Sequence, residues 1–422
     1  MSKNLLILGG LEEFVSLAAL AAARGIRPIV VDGNPGAPAK RKALEVGGAA
    51  YDADIRDAAA VSEIIKKEKA SAITTAYSDL LLECMVRIAD LSGLPCHLSP
   101  AQLPFYRDKL TTNRTCEELG IPTPGSALLE KDFSDSDLAG LSFPMVIKPV
   151  DMYGSRGLSI VQDPGEIRER FDECCSTSPR KVILAEEYAA GFEFNVQCWV
   201  RHGKVHILGL ADREKTFHNR TDIPLSTRNV YPSRLMDRVY QPALDALTRY
   251  IGRTGQSEGP LAMQFYWNPR DGFSVGEIAA RFLGYEHELI EYACGFSIEE
   301  LLLAAAFDDA SLDTLLAAGD PFGTSCAAVI YFHGRDGFIA DEAPMRDAFA
   351  DPSVVYSRLF YKEGERIGSP QSKPYVARCY VRGADRDEVD AATDRILARA
   401  DVLDKNGRTL LHPNMPGSYR DL

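Results

Sequence analysis

The sequence has no stretch of about 18 consecutive apolar residues, which excludes a membrane-spanning helix on length alone. A cationic surplus is missing too: 47 Lys and Arg face 60 Asp and Glu, for a formal net charge of -13. Most of such a surface repels phosphodiester backbones and anionic lipid, so general nucleic-acid or membrane-surface binding is excluded, while a local basic pocket for a small anion stays open. The nine cysteines contain no pair spaced as a metal knuckle. Cys174 and Cys175 are adjacent, and reduced structural thiols are the reading. MSKN runs straight into a strand-like segment without a signal-peptide pattern, so a cytoplasmic protein is expected. There is no internal repeat and no low-complexity tract.

What is present is a chain of 422 residues, 45% hydrophobic and 25% charged, which suffices for two or three domains with buried cores. Its first hundred residues alternate short apolar runs with helical patterns: NLLILGG, a helix ending at Arg24-Gly25, PIVVD, a helix through Val61, Ile64 and Ile65, then SAITTAY. That rhythm predicts a doubly wound, parallel α/β domain. Gly25 stands where a left-handed helix cap is needed, and Pro28 opens the next strand.

Gly9-Gly10 after the first strand and Asp32 after the second raise a dinucleotide site, in which glycines admit pyrophosphate and an acid holds a ribose. The spacing argues against it. Leu11-Glu12-Glu13-Phe14 follow where further glycines belong, and two carboxylates at a helix start repel phosphate.

Beyond LSPAQLPFYRDK the pattern changes. PMVIKPV, LSIVQ, KVILAEEY, FEFNVQCWV, KVHILGLA, MQFYW and FSVGEIA are dense, alternating strand signals that predict antiparallel sheets. After the helical run ELIEYACGFSIEELLLAAAF, a last block has SCAAVIYF, SRLFY and YVARCYV and the helix DEVDAATDRILARA.

In the segment from Phe143 to Ile160 a strand delivers Lys148, and a loop with Gly154, Ser155, Arg156 and Gly157 follows. Glycines let backbone N–H groups close on phosphate oxygens, the lysine supplies a point charge and Ser155 a donor. The plain alternative is a hairpin with an exposed lysine. Some thirty residues later, Glu186, Glu187 and Glu193 cluster around Ala189 at the end of an apolar strand. Carboxylates in a cleft can accept from an adenine amino group or ribose hydroxyls, and the intervening peptide groups can read the ring edge. Alone, this string is a solvated hairpin end.

Lys148 with its glycine loop, the Glu186-Glu187-Tyr188 hinge and the late strand Val275-Gly276-Glu277-Ile278-Ala279-Ala280-Arg281 resemble, in order and spacing, the three signature regions of the ATP-grasp superfamily. The branch the sequence is most similar to is that of carboxylate–amine ligases of the L-amino-acid ligase and carbamoyl-phosphate-synthase-like group. Nearly the whole chain is covered. The resemblance implies an α/β domain over residues 1–105, a central ATP-grasp domain of two α+β halves over 106–315 with a lid at about 120–190, and a smaller C-terminal α+β domain over 316–422. It further implies ATP and Mg2+ as cofactors, small-molecule carboxylate and amine substrates, and a homodimer as the assembly to test.

Residue by residue, the resemblance implies that Lys109 and Lys148 contact the ATP phosphates beneath the loop of Gly154, Ser155, Arg156 and Gly157. Glu186 receives the adenine amino group, the backbone of Glu187 and Ala189 frames the ring, and Glu193 holds the ribose. Gln264 and Glu277 bind magnesium, and Arg281 steadies the transferring phosphoryl group or the acyl phosphate. Two positions depart from the pattern. Gln264 replaces a usual glutamate but still offers an amide oxygen. Ala279 stands where an asparagine commonly coordinates a second ion, and offers none.

The polar stretch from Ala211 to Arg220 lies between strand signals. Arg213 and Lys215 are candidates for anion contacts there, against a solvated loop. His287, opening a helix after Arg281, is a substrate candidate set against a capping or packing histidine. The resulting expectation is an ADP-forming ligase that joins a carboxylate to an amine through an acyl phosphate. The alternatives are an ATP-grasp enzyme using bicarbonate or a formyl substrate, and, from Ala279, a nucleotide-binding protein with degenerate catalysis.

Overall fold

A computed structural model describes residues 3–150, 158–176, 178–189, 191–216, 224–284, 286–368, 375–413 and 419. Strands β1 (Asn4–Leu8), β2 (Arg27–Val31), β3 (Ala49–Tyr51) and β4 (Ala72–Thr74) form a parallel sheet in the order β3-β2-β1-β4. They alternate with helices α1 (Phe14–Ala23), α2 (Pro38–Glu45), α3 (Ala58–Glu68) and α4 (Asp79–Ser92). α1 packs with α2, and α3 with α4. The core strand β1 is consequently buried on both faces, and its run Leu5 to Leu8 is continuously apolar. Gly25, with φ +72°, ends α1 as its position suggests.

This order places a topological switch between β1 and β4, because the chain winds outward from β1 through β2 to β3 and then returns to pair β4 on the other side. The crevice beyond the carboxyl ends of strands flanking such a switch is where open α/β sheets receive ligands. The Gly9-Gly10 turn lies at that end, but Asp32 is already committed: its Oδ2 accepts from the Gly10 N–H at 2.7 Å. The acid braces its own turn.

α5 (Leu103–Arg107) and α6 (Lys109–Glu118), the latter capped by Asp108, lead into a four-stranded antiparallel sheet. That sheet has β5 (Ser126–Leu129), β6 (Met145–Pro149), β7 (Ser159–Val161) and β8 (Ile183–Glu187), in the order β5-β8-β6-β7, with α7 (Pro164–Cys174) packed on β6 and β7. It has its own small core, including Leu129, Met145, Ile147, Val161, Ile167 and Phe171.

The second antiparallel sheet is built from β9 (Phe192–Arg201), β10 (Lys204–Lys215), β11 (Ser226–Tyr231), β12 (Glu258–Asn268) and β13 (Gly272–Ala279), with α8 (Met236–Thr254) between β11 and β12. Helices α9 (His287–Cys294), α10 (Ile298–Phe307) and α11 (Asp309–Ala318) follow, then β14 (Cys326–Phe332), β15 (Gly337–Phe338), α12 (Ala343–Ala348), β16 (Val354–Leu359), β17 (Arg366–Ile367), β18 (Ala377–Gly383) and α13 (Arg386–Leu397). β15 and β17 pair with each other. The remaining strands make one eight-stranded sheet, β13-β12-β9-β10-β11-β14-β18-β16, which runs across residue 316 without a break. One core cluster joins the N-terminal sheet to α8, α9, α10 and one face of this large sheet, and a second lies on its opposite side under α13.

β9 shows how the sequence builds a site inside that core. Phe194, Val196 and Cys198 alternate with Glu193, Asn195 and Gln197, and all six are buried. Period two puts the first three on an apolar face and the last three on a buried polar face. All nine cysteines are free, and no helix among the described residues is long and apolar enough to cross a membrane.

Candidate active site

Lys148 and Glu186 come from neighbouring strands. The antiparallel register of β6 and β8 sets Val146 opposite Glu186 and Lys148 opposite Leu184, so the two side chains share a face and form an ion pair. Lys109, the first residue of α6, faces them. Its ammonium is pulled down by burial and by Lys148, and supported by Glu277, Glu186 and Asp79. A single lysine thus feels the hinge acid, the late-strand acid and the strand lysine together. Lys109 is thus an electrostatic neighbour of Lys148 and Glu186 from the small sheet and of Glu277 from the large one.

On the large-sheet side stand β12 and β13. Their register places Gln264 opposite Glu277, so an amide and a carboxylate lie side by side, and Glu277 keeps 44% of its side chain exposed. Arg281, just past β13, is gripped by Asp79 through two parallel hydrogen bonds of 2.8 and 2.7 Å, with Glu277 Oε1 at 3.4 Å. Burial alone would raise the Asp79 carboxyl, but Arg281, Arg107 and Lys109 outweigh it and keep it below its ordinary value. Asp79 begins α4 directly after the switch-point loop, and the Phe282 N–H donates to Ala76 O at 2.9 Å. The N-terminal domain therefore fixes the orientation of Arg281.

Glu193, Arg213 and Lys215 form a second group. The β9–β10 register places Glu193 opposite Arg213, and both cations pair with the Glu193 carboxylate. Burial would raise this acid, yet Arg213 and Lys215 hold it low, while burial lowers Lys215. The two candidate anion contacts are thus engaged by the candidate ribose acid. Tyr419 closes over this group: its hydroxyl donates to Glu193 O at 2.7 Å and accepts from the Glu193 N–H at 2.5 Å.

A third group centres on Glu286, which no local sequence motif marks. Glu286 is buried and accepts from Asn195 Nδ2 at 3.0 Å, Asn229 Nδ2 at 2.7 Å and the Tyr231 hydroxyl at 2.5 Å. Burial raises its pKa despite these donors and Arg213. Asn195 lies on β9 and Asn229 and Tyr231 on β11, two strands that β10 separates, so only sheet pairing assembles them. The available signal was the alternation of Glu, Asn and Gln with apolar residues in FEFNVQ.

The remaining candidates fall as follows. Gly154, Ser155, Arg156 and Gly157 lie outside the described residues. The Glu187 carboxylate binds its own surroundings, accepting from Ser142 N at 2.7 Å and Gly125 N at 3.3 Å, and its backbone N–H donates to Gly125 O. Ala189 is half-buried, two residues beyond β8. His287 opens α9 with only 1% of its side chain exposed, in contact with Glu288 and Glu299. Ala279 is buried and pairs with Ala262. Among the described residues no three His, Cys, Asp or Glu gather as a metal cluster. Gln264 and Glu277 offer two neighbouring oxygens, a fit for a divalent ion that completes its shell with phosphate and water oxygens.

An ATP-grasp domain is matched at residues 141–285. This chain is 26% identical over 290 residues to the carbamoyl phosphate synthase large chain of Rubrobacter xylanophilus, a match covering 66% of this chain and 27% of that protein. It is 25% identical over 294 residues to the N5-carboxyaminoimidazole ribonucleotide synthase of Staphylococcus haemolyticus, covering 69% of this chain and 73% of the relative. The chain thus spans about a quarter of the length of the first of these. In architecture it is similar to the L-amino acid ligase of Bacillus licheniformis, with a TM-score of 0.75, 17% identity, and 96% and 99% of the two chains covered. The fold is that of the ATP-grasp ligases.

Proposed function

We propose that this chain, which carries an ATP-grasp domain, is an ADP-forming ligase that activates a small carboxylate with ATP and joins it to an amine. The supporting observation is that Lys109 has Lys148, Glu186 and Glu277 as electrostatic neighbours, with Arg281 held beside Glu277 by Asp79.

A carboxylate is a poor electrophile. Transfer of a phosphoryl group to one of its oxygens gives an acyl phosphate. An amine then attacks the carbonyl carbon, the C–N bond forms, the bond to the phosphate oxygen breaks, and phosphate leaves. Lys109 and Lys148 supply positive charge beside the phosphates, and Glu186 accepts from the adenine amino group. Gln264 and Glu277 would hold magnesium, which when bound would offset negative charge on the phosphates. Arg281 has lost its rotational freedom to Asp79, so its guanidinium needs no reorganisation to face the acyl phosphate. Water would hydrolyse this intermediate, so turnover requires its exclusion while the amine attacks.

The test is a phosphate-release screen with Mg2+, ATP and paired small acids and amines, together with nucleotide binding by Lys148→Ala. ADP formation that requires an added acid, and an ATP Kd raised about tenfold or more in the variant, about 1.4 kcal/mol, is expected. Wild-type ATP affinity in Lys148→Ala would count against the assignment. The absent oxygen at Ala279 supports a second reading, a nucleotide-binding protein without turnover. Tight ATP binding with no ADP formed from any acid would favour it.

A further inference from the structure

A cavity of about 260 Å³ lies where the N-terminal sheet meets the large sheet and the helices after it. Met85 of α4, Trp199 of β9, Pro260 of β12, Leu302 and Ala306 of α10 and Leu312 of α11 enclose it. Pro260 precedes Gln264 by four residues on β12, about 13 Å along a strand, so the cavity is separate from the magnesium and phosphate contacts proposed above.

Its remaining wall is the edge of the parallel sheet. β4 is the last strand in the order β3-β2-β1-β4, and its outer edge has no strand partner. Ser71 to Thr75 line the cavity without a gap. Side chains alternate along a strand, so an unbroken run means that the backbone edge itself faces the space. On its inner side β4 is held by β1: the Ser71 N–H donates to Asn4 O at 3.0 Å and the Thr75 hydroxyl to Leu8 O at 2.9 Å. An open edge of this kind presents N–H donors and C=O acceptors in one plane.

The other lining residues set the charge and size of what fits. Among the described residues no Lys or Arg lines the cavity, and burial pulls His97, another wall residue, down to a pKa of about 4. On the exposed rim, Glu258 and Asp309 share Arg201 with Asp313, at 3.4, 2.5 and 3.2 Å. His202, 3.1 Å from Glu258, offsets it only when protonated. Three carboxylates on one guanidinium leave the rim negative, which repels phosphate and carboxylate. A cavity of about 150 Å³ holds benzene, so about 260 Å³ admits a fused pair of rings.

The walls also reach the residues on either side of Arg281. His97 Nε2 donates to Ala280 O at 3.0 Å, and Ala76, next to the wall residue Thr75, accepts from the Phe282 N–H at 2.9 Å. The rings of Trp199 and Phe282 lie 6.1 Å apart. We propose that this cavity is a second small-molecule site, for an uncharged fused-ring heteroaromatic compound with an N–H donor beside a ring-nitrogen or carbonyl acceptor, and that its occupancy steadies the Arg281 segment. The donor and acceptor pair with the outer edge of β4, and the rings lie against Met85, Leu302 and Trp199. This site stands independently of the ligase reading.

The test uses the full chain with its two tryptophans, Trp199 and Trp267, labelled with nitrogen-15 and followed by NMR. Mg2+ and a saturating non-hydrolysable ATP analogue are present, so that no probe reports from a vacant nucleotide site. The probes are adenine, hypoxanthine and quinazolinone, with AMP and indole-3-acetate as anionic counterparts. At least one neutral probe should shift the Trp199 indole signal with a Kd below about 1 mM, leaving Trp267 in place, and the anions should bind about tenfold more weakly or worse. Residues 276–284, none of which lines the cavity, should then exchange backbone hydrogens about threefold more slowly. Ala306→Phe, which fills the cavity from a half-buried helix position, should abolish both effects while the ATP analogue binds within about twofold of wild type. Ala305→Phe, at the exposed rim, is the check if that variant unfolds. No shift from any neutral probe, an equal response to AMP, or a response that survives the folded variant overturns the proposal. Probe binding with unchanged exchange at 276–284 overturns the link to Arg281. A protein that takes up the probe but no ATP analogue leaves this site standing and sinks the ligase reading alone.

Discussion

Arg281 shows how one side chain can be functional and structural at once. Its guanidinium reaches Glu277 at 3.4 Å, and its two hydrogen bonds to Asp79 tie the end of β13 to the N-terminal domain. Because Asp79 titrates below its ordinary value, this pair contributes stability that is fully present above the unfolded carboxylate pKa, near 3.8, and is lost as pH falls through the lower folded value. Arg281→Ala removes much of that depression. Its acid-unfolding midpoint, followed by circular dichroism, should therefore move to higher pH, and catalysis should fall by more than nucleotide affinity. An unchanged acid midpoint would show that Arg107 and Lys109 suffice for Asp79.

Lys148, Glu186 and Glu277 were legible in the sequence, since each sits in a strand with a recognisable neighbourhood. Asp79 was not. It lies 202 residues from Arg281, in a segment whose only local signal is a helix start. Glu286 was hidden for the same reason: Asn195, Asn229 and Tyr231 converge on it only because β9, β10 and β11 pair. Long-range pairing leaves no mark on local sequence.

At the scale of elements, the strands and the last helix are readable from alternation and period, whereas α8 carries Pro242 inside it, a residue that argues locally against a helix. Two contacts between elements can be tested. α13 is fixed to the large sheet through Arg386, which donates to Asp212 Oδ2 and Glu214 Oε1, both at 2.7 Å. Asp212 and Glu214 are fully buried. Arg386→Ala leaves them short of a partner and should cost about 3 kcal/mol in urea unfolding, as for a broken buried pair.

The second contact is His97, whose Nε2 donates to Ala280 O at 3.0 Å and whose Cβ packs where a side chain at Gly259 (φ +91°) would collide. Burial pulls its pKa from the ordinary 6.5 to about 4. A depressed histidine favours the folded state when neutral, so this contribution is intact above pH 6.5 and falls as pH drops from there toward about 4. The slope approaches about 1.4 kcal/mol per pH unit. His97→Gln should flatten the stability–pH curve in that window, and an equally steep curve would exclude His97 as its source.

For the molecule as a whole, the partition of cores matters most. The small sheet from β5 to β8 packs around its own cluster, while the N-terminal and large sheets share one. Two bodies with a cleft between them can close on a ligand, as lids do in many enzymes. Addition of Mg2+ and ATP should slow hydrogen exchange in residues 126–187 and in β12 and β13, and leave α13 unaffected. Uniform protection would argue against such closure.

The pairing of β11 with β14 sets Arg228 opposite Ile330 across roughly a hundred intervening residues, and β18 and β16 pair outward from there. The final quarter of the chain is therefore not a detachable module. Cutting it away would bare the N–H and C=O groups along β11 and uncover Val230 beneath, a sticky edge that invites association between molecules. Forming that seam also means closing a large loop, an entropic cost that the neighbouring hairpins do not carry.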